Sequence, residues 1–164
     1  MKYFLPTGLR NAMPLIFGLL FLATVHNGTA QGNVPPTLSG GLDQIFCKGN
    51  PTNIAPGFDI FDPDDNTAPA IYIQISSGYV SGQDILTLNF TTGLTSQWNA
   101  ASGKLTITSS NPGQPVPILT LVNAVQSVTY NNTAANPAAG VRTFSITLGD
   151  ANYLPSTGHY YKFI

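Results

Sequence analysis

The chain has 164 residues, which is the length of one ordinary domain, and a formal net charge of only −1. Charged residues make up 8 % of it and apolar residues 43 %, whereas about 25 % charged residues is usual in soluble domains. These values exclude a basic nucleic-acid-binding face and a highly charged disordered chain. The sequence contains no Glu and is rich in Asn, Thr, Ser and Gly, which is typical of an exported all-β protein.

The first thirty residues have the three-part form of a secretory signal peptide. Lys2 and Arg10 are positively charged, the run 14–25 contains only apolar or small residues, and the small residue Ala30 ends the segment. The apolar run is shorter than the roughly 20 residues of a membrane span. We therefore predict that residues 1–30 are cleaved and the chain exported, with a membrane anchor as the alternative.

After residue 30, short apolar runs alternate with clusters of Gly, Pro, Asn and Asp, the pattern of antiparallel strands joined by turns. Within the clearest runs, Ile, Leu and Phe lie on one face and polar residues or Tyr on the other. The predicted strands are the weak candidates 40–47 and 52–55, the alternating runs 70–75, 85–90 and 105–108, the half-strand 128–130 and the longest run, 141–148.

One segment has helical spacing instead. Apolar residues recur there at the i, i+3, i+4 and i+7 positions that line one face of a helix, namely Ile118, Leu121, Val122 and Val125. Pro117 precedes them, where proline is tolerated at the start of a helix. The chain is therefore predicted to be all-β, an antiparallel two-sheet sandwich of about seven strands with one short helical turn near 118–125.

Cys47 is the single cysteine, so it cannot form a disulfide within the chain. We interpret it as a small buried hydrophobic residue beside Ile45 and Phe46, which is how most free cysteines behave. The alternatives are a reactive thiol and a disulfide to another molecule.

The stretch 70–150 resembles a cadherin-like repeat of large bacterial and extracellular-matrix surface proteins. The resemblance rests on the order and spacing of five motifs, which are Ile71-x-Ile73-x-Ile75, Gly82-Gln83-Asp84-x-Leu86, Gly103-x-Leu105-Thr106-Ile107, Leu121-x-x-Ala124-Val125-x-Ser127-Val128-x-Tyr130-Asn131-Asn132 and Arg142-x-Phe144-x-Ile146-x-Leu148-x-Asp150. Val125 stands where the family usually has Leu. The resemblance implies an immunoglobulin-like or cadherin-like sandwich over residues 31–152.

The tail 153–164 reads YLPSTGHYYKFI and resembles the lead-in to a C-type-lectin-like domain. The pairing of the two modules is similar to secreted gliding-motility adhesins of bacteria. The resemblance implies that 153–164 is a linker or the first strand of a following lectin-like domain in a longer protein. The alternative is a last strand that completes the preceding sandwich.

The sequence offers little for catalysis. His159 is the only histidine after residue 30, and it lies in the tail, so a Ser or Cys nucleophile would lack the base it needs. No phosphate-binding loop and no cysteine and histidine spacing of a zinc site occurs. We therefore predict that the chain is not an enzyme.

Acidic residues concentrate in one segment, which contains Asp59, Asp62, Asp64 and Asp65. Calcium takes six to eight oxygen ligands from residues of this kind. The segment is therefore a candidate calcium site, to which Asp150 would contribute. The alternative is a solvated turn, because Asp, Asn and Pro are ordinary turn residues.

Three aromatic residues, Tyr72, Tyr79 and Trp98, are candidates for stacking on a sugar ring, with packing as the alternative.

Together, the predicted signal peptide, the strand pattern and the lack of catalytic motifs predict a non-enzymatic, exported structural or adhesion module at the N-terminus of a cell-surface or secreted adhesin. Its expected partners are other domains of the adhesin, surface glycans or the secretion and motility machinery, with no nucleic acid and no membrane span. The alternatives are a calcium- or carbohydrate-binding module and an accessory β-domain of a secreted hydrolase.

Overall fold

The structure, a computed structural model, describes residues 33–149 and the backbone of residues 159–163. The predicted signal peptide, 1–30, lies outside these residues. The described elements are, in chain order, β1 (Thr37–Ser39), β2 (Thr52–Asn53), β3 (Asp59–Phe61), β4 (Thr67–Ala68), β5 (Ala70–Ser77), β6 (Asp84–Thr87), β7 (Leu94–Asn99), β8 (Lys104–Ser109), β9 (Val116–Pro117), α1 (Ile118–Ser127), β10 (Thr129–Asn132), β11 (Arg142–Gly149) and β12 (His159–Phe163). The predicted all-β fold with one short helix is confirmed.

The described strands pair in four antiparallel sheets. A five-stranded sheet has the order β12-β11-β5-β8-β7, and a three-stranded sheet has the order β2-β10-β6. Two ribbons, β1-β3 and β4-β9, complete the set. Side chains from the two larger sheets belong to one hydrophobic core. The two-sheet sandwich itself stays a prediction.

Strands β5 and β11 form the longest pairing, from Thr143 opposite Ser77 to Gly149 opposite Ala70. Their inward faces follow the predicted period of two. The residues on these faces are almost completely buried, namely Ile71, Ile73 and Ile75 from β5 and Phe144, Ile146 and Leu148 from β11. The alternation predicted for the two runs is thus confirmed, and it places their apolar residues at the centre of the core.

Helix α1 confirms the helical spacing and extends the predicted turn to ten residues. Leu121, Val122 and Val125 are buried on the side that the spacing predicted, whereas Leu119 is 71 % exposed. The helix ends at Ser127, and the N–H of Val128 donates to the carbonyl of Val125 as the chain enters β10. No helix of the described part is long and apolar enough to cross a membrane.

The predicted strand 40–47 is wrong, and so is the interpretation of Cys47 as buried. Cys47 is exposed and pairs only with Asn50 in an isolated bridge that closes a turn, the Asn50 N–H donating to its carbonyl at 3.0 Å. The neighbouring Ile45 is 75 % exposed. Most residues of this segment are exposed, so the strand face expected from Ile45 and Cys47 is not buried.

Strand β6 is shorter than the predicted run 85–90 and ends at Thr87. The next residues leave the ladder and bond to the end of α1 instead. Asn89 Nδ2 donates to the Ser127 carbonyl at 2.7 Å, and the Phe90 N–H donates to Ser127 Oγ at 2.9 Å. Asn89 and Phe90 thus bond to the last residue of α1, and they do not continue strand β6.

Strand β12 pairs with β11, with Phe163 opposite Arg142 and His159 opposite Ile146. The tail therefore adds an edge strand to the five-stranded sheet, which is the alternative that its sequence left open. The interpretation of residues 153–164 as a linker or the first strand of a following lectin-like domain stays a prediction. The domain boundary after residue 152 stays a prediction.

Candidate functional site

The acidic loop, residues 59–65, uses its carboxylates to bind backbone N–H groups. Asp62 Oδ1 accepts hydrogen bonds from the N–H groups of Asp64 and Asp65 at 3.3 and 3.0 Å. Asp64 Oδ2 accepts from the N–H of Val34 at 3.0 Å, and Asp59 Oδ1 from the N–H of the following residue at 2.9 Å. These contacts are those of side chains that stabilise a turn and attach the N-terminal segment to it.

The four predicted calcium ligands that the structure describes do not form a group able to hold a metal ion, and a calcium site that includes Asp150 stays a prediction. Among the described residues, no three or more His, Cys, Asp or Glu side chains lie close enough to hold a metal ion. Asp150, the fifth predicted ligand, lies outside the described residues. Asp62 and Asp65 line a groove of about 540 Å³ that also contains the exposed side chains of Phe61 and Leu119.

Calcium is therefore expected to leave the thermal stability of the protein unchanged. An ion that binds only the folded state raises the free energy of unfolding, by about 2.7 kcal/mol at a hundredfold excess over Kd. The melting temperature must then rise as well. Melting in calcium and in a chelator measures this directly, with magnesium as the control for general ionic effects. A rise in calcium alone, abolished in Asp62→Asn, would instead establish the predicted calcium site.

The three aromatic candidates for sugar stacking are half-buried and in contact with other side chains or backbone. Lys104 Nζ lies 4.3 Å from the centroid of the Tyr72 ring, a cation–π contact. Tyr79 meets Trp98 edge-on at 6.2 Å, and its hydroxyl donates to the Ala100 carbonyl at 2.5 Å. The packing alternative accounts for all three rings.

One buried polar cluster of the described residues is not among the sites predicted from the sequence. Asp84 is 1 % exposed, and its carboxylate accepts four hydrogen bonds. Oδ1 accepts from Tyr130 Oη and Asn132 Nδ2, both at 2.6 Å. Oδ2 accepts from Arg142 Nε at 3.1 Å and from the N–H of Val80 at 2.7 Å. We call Asp84, Tyr130, Asn132 and Arg142 the Asp84 cluster.

The strands place this cluster between the two larger sheets. Asp84 begins β6 and lies opposite Asn132 of β10, while Tyr130 lies two residues before Asn132 on the same face. These three residues belong to the three-stranded sheet, whereas Arg142 begins β11 of the five-stranded sheet. The ion pair between Asp84 and Arg142 therefore connects the two sheets.

A tight turn sets the position of Asp84. The N–H groups of Gln83 and Asp84 both donate to the carbonyl of Val80, at 3.1 and 3.0 Å. Gly82 adopts a φ of +78° within this turn, a conformation that residues with a Cβ rarely take. The Asp84 side chain then closes the turn by accepting from the Val80 N–H.

The hydrogen bonds of Asp84 determine what its carboxylate does. A buried charge is stable only when it is paired and its lone pairs are satisfied. An ionised carboxylate has about four acceptor positions, and the described contacts occupy four. Asp84 therefore connects the two sheets through contacts that satisfy its carboxylate.

The Asp84 cluster also changes the acidity of Tyr130. Burial, followed by the hydrogen bond to Asp84 and its negative charge, raises the pKa of Tyr130 from 10.0 to about 12. The cause is that a phenolate would lie unsolvated beside a carboxylate. The folded protein thus keeps this proton between about pH 10 and 12, where the unfolded chain has released it.

Stability is therefore expected to fall as the pH rises from 10 to 12, and Tyr130→Phe should remove that part of the fall. The raised pKa of Tyr130 contributes about 2–3 kcal/mol to the free energy of unfolding. This contribution is fully present below pH 10 and is lost as the pH rises from 10 to 12. Urea unfolding of both proteins at a series of pH values measures it. Tyr72→Phe is the matched control, and equal pH dependence in wild type and Tyr130→Phe would contradict the assignment.

A cavity of about 290 Å³ lies beside the Asp84 cluster. Its lining consists of Phe46, Lys48, Tyr130, residues 137–140 and Arg142. The Phe46 ring meets the Tyr130 ring edge-on with centroids 4.9 Å apart, and Lys48 Nζ donates to the Ala135 carbonyl. None of the predicted site residues lines this cavity.

Three of the motifs that carry the cadherin-like resemblance meet in the Asp84 cluster, those containing Asp84, Tyr130-Asn131-Asn132 and Arg142. In comparisons with known proteins, no family model matches the chain and no curated protein matches it significantly. The cadherin-like and lectin-like resemblances therefore stay predictions.

Proposed function

We propose that the chain is a non-enzymatic structural module of an exported adhesin and that it holds a neighbouring binding domain in position. The observation that carries this proposal is the Asp84–Arg142 ion pair. Among the described residues, it is the only ion pair, and both its members are buried. Its hydrogen bond connects one sheet to the other. Charged groups used in this way support a role in cohesion rather than in chemistry.

The five-stranded sheet suits the transmission of force. Its two longest strands, β5 and β11, have eight residues each and are joined by seven residue pairs, so a load between them is shared by a ladder of backbone hydrogen bonds. The Asp84–Arg142 pair adds a connection from β11 to the second sheet. We infer that these contacts keep the module folded while it spaces its neighbours.

The surface of the module is polar but carries little charge. Strand β7 at the edge of the large sheet exposes Thr95, Ser96 and Gln97. Side chains of this kind keep a protein solvated without attracting charged partners nonspecifically. Export through the predicted signal peptide, and contact with other domains of the same adhesin, belong to the same proposal.

Replacement of the module in the producing cell tests the proposal. One variant lacks residues 31–152, and a second carries an unrelated β-sandwich of equal length in their place. A spacer should tolerate the replacement, so we expect adhesion to be lost on deletion and restored by the unrelated domain. Antibody labelling of a common tag must show equal surface amounts of both variants. Loss of adhesion in both would contradict a spacing role.

A further inference from the structure

The cavity beside the Asp84 cluster has a combination of charge and shape that the structural role does not require. We propose that it binds a small molecule carrying a carboxylate group on a partly apolar body. This inference goes beyond the proposed function, because a spacing module needs no ligand. It rests on three features of the cavity: a guanidinium with a donor that no described residue accepts from, a lysine that forms no ion pair within the described part of the chain, and apolar walls.

The first feature is the side chain of Arg142, which lines the cavity and is 7 % exposed. A guanidinium has five N–H donors. Nε donates to Asp84 Oδ2 at 3.1 Å, and Nη1 makes a long contact of 3.4 Å to the Gly140 carbonyl. Nη2 makes no hydrogen bond to a described residue. A carboxylate is the acceptor that the planar guanidinium fits best.

The second feature is the charge of Lys48. Its ammonium group donates to the carbonyl of Ala135, a neutral acceptor, and forms no ion pair with a described side chain. Asp84 balances the charge of Arg142, whereas no acidic side chain of the described part pairs with Lys48, which is exposed. No acidic side chain of the described residues lines the cavity. The cavity therefore has an excess positive charge that an anionic ligand would neutralise.

The third feature is the shape of the remaining walls. Phe46 presents an aromatic ring, and Pro137, Ala138 and Ala139 contribute an apolar wall on the loop before β11. A volume of about 290 Å³ lies near the lower limit of small-molecule sites. It suits a body the size of one sugar ring or two small amino acids. Two sources share this chemistry, namely an acidic sugar and the C-terminus of a peptide.

Titration of the purified, secreted chain with matched probes tests the proposal. The probes are glucuronate against glucose, and N-acetyl-Ala-Ala against its C-terminal amide. Amide chemical shifts report binding residue by residue, and we expect Kd values of about 1 mM for a carboxylate, with shifts centred on residues 46–48 and 137–140. Binding of glucuronate alone identifies an acidic sugar as the source, and binding of the peptide alone identifies a peptide C-terminus.

Two variants connect the binding to the cavity without removing the Asp84 cluster. Lys48→Gln removes the unpaired charge, and Ala139→Asp places a repelling carboxylate on an exposed wall residue. Each is expected to weaken binding about tenfold or more at an unchanged melting temperature. Lys104→Gln is the control, since Lys104 stacks on Tyr72 and does not line the cavity.

Several results would overturn the proposal. They are the absence of shifts with either carboxylate at about ten times the expected Kd, equal binding of the acidic and neutral probes, and equal affinities of Lys48→Gln and Lys104→Gln. Sulfate that binds as tightly as glucuronate would also overturn it, because it would indicate a site for any anion.

Discussion

Replacing Arg142 with Met is expected to lower the free energy of unfolding by about 3–5 kcal/mol. Methionine fills much of the space of the arginine stem, so the cavity left behind is small. The loss arises because the Asp84 carboxylate stays buried between the sheets without its positive partner. Equilibrium unfolding in urea at neutral pH measures the difference.

Lys104→Met is the matched control for this prediction. Lys104 is also a cation on a strand of the five-stranded sheet, but it is half-buried and contacts the face of Tyr72. Removing its charge is expected to cost less than about 1 kcal/mol. Equal losses in the two variants would contradict the special role of Arg142.

Replacing Gly78 with Ala is expected to be nearly as damaging. Gly78 follows β5 with a φ of +72°, and a Cβ there would lie 2.1 Å from the carbonyl oxygen of Val141. The left-handed conformation alone costs about 1–2 kcal/mol, and the forced movement of the backbone adds about 1–3 kcal/mol. That movement occurs at the residue before Arg142, so it also disturbs the ion pair.

Gly82→Ala separates the two contributions. Gly82 has nearly the same φ, +78°, but a Cβ there would meet no atom within 4 Å. Its substitution should therefore cost only the conformational part, about 1–2 kcal/mol. Thermal or urea unfolding of both variants gives the comparison. Equal free energies of unfolding for Gly78→Ala and Gly82→Ala would contradict an added cost from the contact between residue 78 and Val141.

The sequence predicted β5, β8 and β11 in the middle of the five-stranded sheet, and it missed β7 at one edge of that sheet and the very short strands β1, β3, β4 and β9. In β5 and β11, one face is buried along the whole strand, so the apolar residues alternate without a break. In β7, only Leu94 is buried and the next three residues are exposed, because this strand lies at the edge of its sheet. The very short strands β1, β3, β4 and β9 depend on partners distant in sequence, which no local pattern reveals.

The candidate site was harder to predict from the sequence. Four acidic residues close together indicate a metal site, whereas a single acidic residue such as Asp84 gives no comparable pattern. Three of the four aspartates of the acidic loop accept hydrogen bonds from backbone N–H groups, whereas Asp84 has partners on two other strands, β10 and β11, and in a turn. A signal was present. The period of two that puts Leu86 inward also puts Asp84 inward, and the period that puts Phe144 inward does the same for Arg142. Two inward-facing opposite charges predict an ion pair.

A double-mutant cycle between Asp84 and Arg142 tests most directly whether the cluster holds the two sheets together. The free energies of unfolding are compared for wild type, Asp84→Asn, Arg142→Met and the double variant. If the two side chains act on each other across the sheets, the double variant loses less stability than the sum of the single losses, by about 2–3 kcal/mol. Strictly additive losses would contradict the connection between the sheets.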